Sequence, residues 1–282
     1  MQVYVNLNGK LLHREKAFLS PDNRSFRYGD GCFETMKLVN GKILLKDYHF
    51  ERIFSSLTLL FFNVPVHFTS NYVEKCILEL ALKNGHQQLG RIRLTIFRGE
   101  GGLYDSTTNM PEFLIQSWPL NETTNQLNTN GLDVELYSAA TKVADTFSGV
   151  KSNSFLCYVL GAQWAKQNRL NDCILLNPAG NIADATIANV FAVKNEIVIT
   201  PPLSDGPING VMRRHLLSCL QQAGIPFMEQ SIHPNELRDC SEVFLTNAIS
   251  GIKWIKQLEG KNFGKQVATS LHHQFVAPLF AR

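Results

Sequence analysis

The amino-acid sequence predicts an α+β protein made of two α/β domains. Short runs of strand-forming residues alternate with stretches of helical period along the chain. The stretch 119–130 is rich in Asn, Thr and Gln and contains no aromatic residue, as is typical of a connecting segment. The 282 residues, 44% of them hydrophobic, are enough for two cores of ordinary size. We therefore expect an N-terminal domain over 1–118, a linker over 119–130 and a C-terminal domain over 131–282.

The N-terminal domain is predicted to contain a hairpin and two helices among several strands. Asn40-Gly41 lies between two strand-like runs and is a strong signal for a two-residue hairpin turn. From Asp47 the apolar residues recur at helical spacing, which indicates an amphipathic helix. The remaining predicted elements are a strand at Val3–Asn6, a helix near Tyr72–Leu82, and strands at Arg91–Phe97 and Glu112–Trp118.

The C-terminal domain is predicted to mix strands with two helices. The first helix follows Lys151, and its expected buried face consists of Phe155, Leu156, Val159, Leu160 and Trp164. The other predicted elements are a strand at Leu132–Ser138, a hairpin of Cys173–Leu176 with Val190–Val193, a strand at Ile197–Thr200, a helix at Gly210–Gln222 and a strand at Glu242–Leu245.

Composition argues against several classes of protein. The net charge of +3 is spread along the chain, and no basic cluster indicates a nucleic-acid-binding protein. The slight excess of positive charge favours an anionic ligand. The six cysteines show no spacing typical of zinc and indicate reduced thiols, so we expect no metal. The N-terminus is polar, and no apolar stretch approaches the roughly 20 residues that cross a membrane. We expect a cytoplasmic protein that does not contact membranes.

Lys151 lies between a predicted turn and the start of a predicted helix. The positive end of a helix disfavours the ammonium form, and partial burial acts in the same direction. A neutral lysine amine can attack an aldehyde, but a lysine in such a place is more often a solvated surface group. Ser148 and Lys151 also match the S-x-x-K of penicillin-recognising enzymes, but their S-D-N and K-T-G elements do not occur here.

Three further segments contain residues with alternative interpretations. Asp184 lies among small residues, where its carboxylate is either a turn cap or the partner of a buried ring nitrogen. Gly210 precedes a predicted helix, and the first N–H groups of that helix are those of Val211 and Met212. They either bind an anion or belong to an ordinary loop-to-helix junction without a ligand. Arg52, opposite the apolar stripe of its helix, is either a surface arginine or a phosphate ligand.

Taken together, these segments resemble the class IV aminotransferases, which are pyridoxal 5′-phosphate (PLP) enzymes of fold type IV. Their relatives include D-amino acid aminotransferases, branched-chain aminotransferases and 4-amino-4-deoxychorismate lyase. The resemblance covers residues 4–257, and eight motifs occur in family order. They are Tyr28–Thr35, His49–Ile53, Arg98–Gly102, Val150–Ser152, Asn181–Phe191, Thr200–Leu203, Asn209–Arg213 and Glu242–Ala248.

The resemblance implies a D-amino acid aminotransferase-like fold, whose C-terminal domain carries the PLP lysine, and roles for two central residues. Lys151 forms the Schiff base with PLP and later transfers the substrate proton. The acid opposite the pyridine nitrogen is normally glutamate, and this sequence has Asp184 in that position. Because aspartate is one methylene shorter, either the backbone approaches more closely, or a water bridges the pair, or the nitrogen is protonated less completely.

The resemblance also implies a set of phosphate ligands. The guanidinium of Arg52 is expected to contact the cofactor phosphate. Backbone N–H groups of Val211 and Met212 are expected to contact it as well, together with the turn at Asn247 and Ala248.

Residue by residue, the motifs are most similar to those of 4-amino-4-deoxychorismate lyases. A small anionic amino substrate is then expected, with Tyr28 and Arg98 as substrate-binding residues, and the product 4-aminobenzoate serves folate synthesis. A branched-chain or D-amino acid aminotransferase is the alternative, and a PLP-fold protein that has lost catalysis is a third hypothesis. Family members are homodimers, so we expect a homodimer, with part of the apolar run 59–62 buried between subunits.

Overall fold

The computed structural model describes residues 3–281 and divides into two compact units. The first unit runs to Glu122 and also includes Val150–Phe155, and the second comprises Thr123–Gly149 and the chain from Leu156 onward. The boundary at Glu122 falls within the polar stretch 119–130. The expectation that the C-terminal domain carries Lys151 is wrong, because the segment around this lysine belongs to the first unit.

The first unit is an antiparallel six-stranded sheet with two long helices. Its sheet order is β2-β1-β6-β5-β3-β4. Its strands are β1 (Tyr4–Leu7), β2 (Lys10–His13), β3 (Gly31–Val39), β4 (Lys42–Ile43), β5 (Leu89–Arg98) and β6 (Pro111–Pro119), and its helices are α1 (Arg24–Tyr28), α2 (Lys46–Leu59) and α3 (Ser70–Asn84). Alternate residues of β3, including Met36 and Leu38, join α2 and α3 in one buried core.

The hairpin and both helices of the first unit are confirmed. Asn40 and Gly41 have φ angles of 49° and 74°, the left-handed pair that a tight hairpin turn requires. The residues of the apolar run 59–62 differ in exposure. Phe62 is buried in the core of its own unit, whereas Phe61 is 75% exposed.

The second unit is built on a nine-stranded sheet. Eight strands follow the order β12-β11-β10-β13-β14-β7-β8-β9, and β15 pairs with β14. The strands are β7 (Leu132–Tyr137), β8 (Asp172–Leu176), β9 (Ile182–Ala185), β10 (Asn189–Lys194), β11 (Ile197–Thr200), β12 (Phe227–Glu229), β13 (Glu242–Asn247), β14 (Gly251–Leu258) and β15 (Lys261–Asn262). The helices are α4 (Leu156–Gln167), α5 (Val211–Ala223), α6 (Gln266–Leu271) and α7 (Ala277–Phe280).

The predicted hairpin of the second unit has a different partner. β8 pairs antiparallel with β9, whereas β10 pairs with β11 and β13. The strand β9 was not predicted, because its four residues, Ile182–Ala185, include an aspartate and two alanines rather than strand-forming residues. Asp184 consequently lies within a strand, so its interpretation as a turn cap is wrong.

The buried face of α4 also differs from the prediction. Tyr158, Gly161 and Ala165 are buried, whereas Leu156 and Val159 are exposed. A Cβ at Gly161 would lie 3.0 Å from Cys173 Sγ on β8, so the missing side chain allows this close approach. The small residues, rather than the largest apolar ones, therefore define the packed face of this helix.

Across residues 3–281, no helix combines the length and apolar character needed to cross a membrane. The six cysteines are free thiols. No cluster of His, Cys, Asp and Glu in this range has the arrangement of a metal site.

Candidate active site

Lys151 lies in an extended segment that pairs with the start of β3. The Phe33 N–H donates to the Lys151 carbonyl at 2.8 Å, and the Asn153 N–H donates to the Gly31 carbonyl at 2.9 Å. A Cβ at Gly31, where φ is +143°, would lie 2.1 Å from the Ile96 carbonyl oxygen. Glycine is therefore required where the segment meets the sheet, and the backbone of Lys151 is fixed in place.

The Lys151 side chain lies beside two aromatic rings. Its Nζ is 4.6 Å from the ring centre of Phe33 and 5.1 Å from that of Phe155. The guanidinium carbon of Arg93 is 3.7 Å from the centre of the same Phe33 ring. The lysine amine and an arginine thus contact one phenyl group.

The predicted influence of the α4 dipole on Lys151 is not supported. The helix begins at Leu156, five residues beyond the lysine, and the dipole acts mainly within the first turn. The rings of Phe33 and Phe155 are the aromatic neighbours of this amine instead.

Arg52 is buried in an ion pair with Glu34, so its interpretation as a solvated surface arginine is wrong. Its Nε donates to Glu34 Oε1 at 2.6 Å, and its Nη2 donates to Oε2 at 2.7 Å. His49 Nδ1 is also 2.7 Å from Oε2. Burial alone would raise the pKa of Glu34, but Arg52 and His49 outweigh it and lower the pKa to about 2. The carboxylate is therefore ionised and fixes the orientation of the guanidinium.

Of the two predicted substrate residues, Arg98 belongs to a network around Asp30. Arg98 donates from Nε to Asn109 at 2.9 Å, and its other nitrogens bond to Asp30 and to the Leu60 carbonyl. Tyr28, at the end of α1, has its ring 5.8 Å from the ring of Tyr104. Arg98 therefore holds the end of the loop that follows β5, at Asn109, and its assignment as a substrate ligand stays a prediction.

Arg24 orders the remainder of that loop. Its guanidinium, 5% exposed, donates to the carbonyl oxygens of Gly101, Leu103 and Tyr104 at 3.0–3.1 Å. Its Nε donates to Asp30 at 2.8 Å. The loop consequently folds around one buried cation.

Asp184, in the second unit, is fully enclosed by hydrogen-bond donors. Asn189 Nδ2 donates to Oδ1 at 2.7 Å, the Ile208 N–H donates to Oδ2 at 2.7 Å, and the Tyr158 hydroxyl donates to Oδ2 at 3.1 Å. Burial raises the pKa of Asp184 to about 7, against the smaller lowering effects of these donors and of the Lys142 charge. A carboxyl with this pKa can accept a hydrogen bond from a protonated ring nitrogen or itself hold the proton.

The start of α5 is linked to Asp184 through Asn189. The Asn189 Nδ2 donates both to Asp184 and to the Ile208 carbonyl, at 2.7 and 2.8 Å. Gly210, the N-cap residue of α5, provides no side-chain cap, and a Cβ there would lie 1.8 Å from Asn189 Oδ1. The helix start at Val211 thus lacks the side-chain acceptor that would compete with an anion.

The turn at Asn247 and Ala248 is confirmed and lies at the same end of the sheet. It directly follows β13, in which Thr246 pairs with Asn189 of β10. Asn247 Oδ1 accepts the N–H groups of Ile249 and Ser250 at 3.0 and 2.8 Å. The second unit therefore brings Asp184, the start of α5 and this turn around Asn189.

Three residues of these surroundings were missed from the sequence: Glu34, Arg93 and Tyr158. The alternation Arg91-Ile-Arg93 in a predicted strand was a usable signal, because it places two arginines on one face. Tyr158 was hidden by its apolar neighbours, which indicated a different buried face. Nothing in the sequence pairs Glu34 with Arg52, since the contact joins a strand to a helix.

Comparison with known proteins identifies the family of this chain. The family model for class IV aminotransferases matches residues 31–258. An aminodeoxychorismate lyase from Bacillus subtilis is 28% identical over 273 residues, covering 93% of this chain and 89% of the relative. A putative branched-chain aminotransferase from Methanocaldococcus jannaschii is 25% identical over 263 residues, with the same coverage.

Among solved structures, the branched-chain aminotransferase of Thermoproteus uzoniensis, determined with norvaline, has the same fold. The TM-score is 0.89 at 23% identity, and the alignment covers 100% of this chain and 96% of that protein. This fold, together with the family match, confirms the predicted fold type IV architecture. The chain belongs to the class IV aminotransferase family, and it is a PLP-dependent transaminase or lyase.

Proposed function

We propose that this protein is a 4-amino-4-deoxychorismate lyase, which converts its substrate into 4-aminobenzoate and pyruvate. The observation that carries the proposal is the contact of Lys151 and Arg93 with one ring, that of Phe33. A lysine amine and a half-buried arginine that contact the same ring suit a substrate that has both an amine and carboxylates. The identity to the Bacillus subtilis lyase supports the same choice.

Within each unit, the residue types present are those that PLP needs. We propose that Lys151 binds the aldehyde carbon covalently and that Asp184 pairs with the pyridine nitrogen. Arg52, the N–H groups of Val211 and Met212, and the turn after β13 are proposed as phosphate ligands. The uncapped start of α5 carries this assignment for the second unit. When bound, PLP supplies an electron sink for charge that develops at the substrate carbon bearing the amine.

The residues of the chain would then perform two proton steps. Lys151 removes the proton from the ring carbon that bears the substrate amine. The neighbouring carbon–oxygen bond breaks, and the enolpyruvyl group leaves with the bonding electron pair. A proton returned to this group gives pyruvate, while the remaining ring becomes aromatic. Asp184 stabilises the electron sink by holding the pyridine nitrogen protonated.

Arg93 is proposed to bind a substrate carboxylate, a role that the sequence prediction gave to Arg98. Burial, followed by the charge of Arg91, lowers the pKa of Arg93, so an anion beside it would relieve an unfavourable environment. Arg98 already donates to Asn109, Asp30 and the Leu60 carbonyl. Together with Tyr28, it is therefore proposed to shape the substrate pocket through the loop after β5.

A branched-chain or D-amino acid aminotransferase is the second candidate, favoured by the Methanocaldococcus jannaschii relative. In both activities the lysine removes a proton from the substrate, and the two activities differ in the product that is released. A lyase releases pyruvate from aminodeoxychorismate without an acceptor, whereas a transaminase needs an oxo acid to complete its cycle. The experiment is an assay of pyruvate release beside a panel of branched-chain and D-amino acids with 2-oxoglutarate.

Pyruvate release that is lost in Lys151→Ala and at least tenfold lower in Arg93→Gln would support the lyase. Arg91→Gln is the matched control, since Arg91 lies against Trp118 instead of Phe33. Oxo-acid-dependent transamination without pyruvate release would establish the second candidate. Borohydride reduction and peptide mapping should place the pyridoxyl group on Lys151, and modification of another lysine would contradict the assignment.

We also propose that the protein is a homodimer. Each unit has exposed apolar side chains, Phe61 in the first and Leu156 and Val159 of α4 in the second, and a second copy of the chain would cover some of them. Light scattering at micromolar concentration should report twice the chain mass. A fully active monomer would contradict the proposal.

A further inference from the structure

Tyr158 is a buried tyrosine whose hydroxyl contacts Asp184. It lies in the first turn of α4 and is 5% exposed, whereas its neighbours Leu156 and Val159 face outward. Its hydroxyl donates to Asp184 Oδ2 at 3.1 Å. The helix thus directs the ring and hydroxyl of Tyr158 inward, while two of its aliphatic side chains lie at the surface.

The Tyr158 hydroxyl acts as a donor. Burial, followed by the charge of Asp184, raises the pKa of Tyr158 well above its ordinary value. The phenol therefore keeps its proton, and an ionised carboxylate beside it can only accept. When the Asp184 carboxyl is ionised, this hydrogen bond therefore runs from the phenol to the carboxylate.

The donors around Asp184 hold its two oxygens separately. Oδ1 accepts from Asn189, and Oδ2 accepts from Tyr158 and from the Ile208 backbone. Asn189 and Ile208 are themselves joined, because Asn189 also donates to the Ile208 carbonyl. Tyr158 is the contribution of α4 to this set, and it completes the fixation of the carboxyl plane.

We propose that Tyr158 is a positioning residue that orients the Asp184 carboxylate toward the pyridine nitrogen of PLP. The inference rests on the proposed function, in which Asp184 is the partner of that nitrogen. Aspartate reaches less far from its strand than glutamate does, so its carboxylate depends more strongly on one orientation. A fixed phenol donor holds that orientation and favours the ionised form.

Two other titratable groups, Lys142 and Cys157, are electrostatically coupled to Asp184. Lys142 is buried, donates to the carbonyl oxygens of Val143 and Ser148, and acts on Asp184 through its charge. Cys157 precedes Tyr158, and burial raises the pKa of its thiol. Both groups are unchanged in the variants below, so they do not confound the comparison.

The test measures the ¹⁵N chemical shift of the pyridine nitrogen in enzyme reconstituted with ¹⁵N-labelled PLP. Asp184→Asn provides the reference for an unprotonated nitrogen. We expect Tyr158→Phe to move the shift from the wild-type value toward that reference and to lower turnover about tenfold. Tyr137→Phe is the matched control, since Tyr137 is a buried tyrosine of the same unit that packs on Trp164. It should leave the shift unchanged.

The outcomes separate the inference from the function on which it rests. A moved shift in Asp184→Asn with a wild-type shift in Tyr158→Phe would overturn the role of Tyr158 alone. An unchanged shift in Asp184→Asn would overturn the pairing of Asp184 with the nitrogen, and the positioning role with it.

A second measurement does not need PLP. In ligand-free protein with ¹³C-labelled aspartate, the side-chain carboxyl of Asp184 should titrate at a higher pH in Tyr158→Phe than in wild type, because the anionic form loses a donor. An unchanged titration would likewise overturn the role of Tyr158.

Discussion

Glu34 and Asp184 are both buried carboxyl groups, one in each unit, and their surroundings differ in charge. Glu34 faces the cation of Arg52 and the ring of His49, whereas Asp184 is hydrogen-bonded by neutral groups only. The pKa of Glu34 is lowered to about 2, and burial raises the pKa of Asp184 to about 7. Hydrogen bonds from neutral donors thus offset burial less than a bidentate arginine does.

The difference in pKa between Glu34 and Asp184 suits two different roles. An ion pair that stays charged is suited to fixing a guanidinium in one orientation. A carboxyl whose pKa lies near neutrality is suited to sharing a proton with a ring nitrogen, as proposed for Asp184. The four predictions that follow test this contrast, beginning with the largest expected effect.

Glu34→Gln should lower the free energy of unfolding by about 3–5 kcal/mol at pH 7, because it leaves the buried Arg52 without its counter-charge. Urea unfolding of the ligand-free protein measures the change. Glu74→Gln is the matched control, since Glu74 pairs at 3.1 Å with the half-exposed Lys46 and should cost less than about 1 kcal/mol. Equal losses in the two variants would refute the special role of the Glu34 pair.

Asp184 should make the ligand-free protein less stable as pH rises from about 4 through about 7. Its folded pKa is raised, so the folded protein binds this proton more tightly than the unfolded chain does. The loss is roughly 4 kcal/mol at most. In Asp184→Asn this part of the pH dependence should disappear, and a slope identical to that of wild type would show that the carboxyl titrates normally.

Glu34 should act in the opposite sense at acid pH. Its folded pKa is depressed, so the stability it provides is present above its unfolded value of about 4.5 and is lost as pH falls toward about 2. The loss is roughly 3 kcal/mol. Acid unfolding of wild type beside Glu34→Gln measures it, and an unchanged acid limb in the variant would assign the loss to other carboxylates.

Arg52→Ala should weaken PLP binding about ten- to a hundredfold, with a smaller effect on turnover at saturating PLP. Equilibrium titration with PLP measures the affinity. Glu34→Gln is a useful comparison here, since it keeps the arginine and removes the group that orients it. Unchanged affinity in Arg52→Ala would limit the arginine to its pair with Glu34.

Much of the fold followed from periodicity, and the errors share a cause. The hairpin at Asn40-Gly41 and the helix α2 were predicted because turn residues and helical spacing are local signals. The strand β9 and the buried face of α4 were mispredicted because small residues at Gly161 and in Ile182–Ala185 pack closely without a strong local signal.

For the candidate site, the sequence identified separate segments but not their neighbours. Lys151, Asp184 and Gly210 were selected from short motifs. Arg93 was overlooked in favour of Arg98, because a motif shows which residues recur and does not show which side chain lies beside the lysine.

The sequence by itself determined the family, many of the helices and strands, and the residue types available for PLP chemistry. Only the tertiary structure decided that the Lys151 segment pairs with β3, that Glu34 holds Arg52, and that Tyr158 and Asn189 enclose Asp184. The separations range from 5 positions, between Asp184 and Asn189, to 118 positions, between Phe33 and Lys151. Local propensity acts over one helical turn or one hairpin, whereas burial and ion pairing act between any groups that the fold brings together.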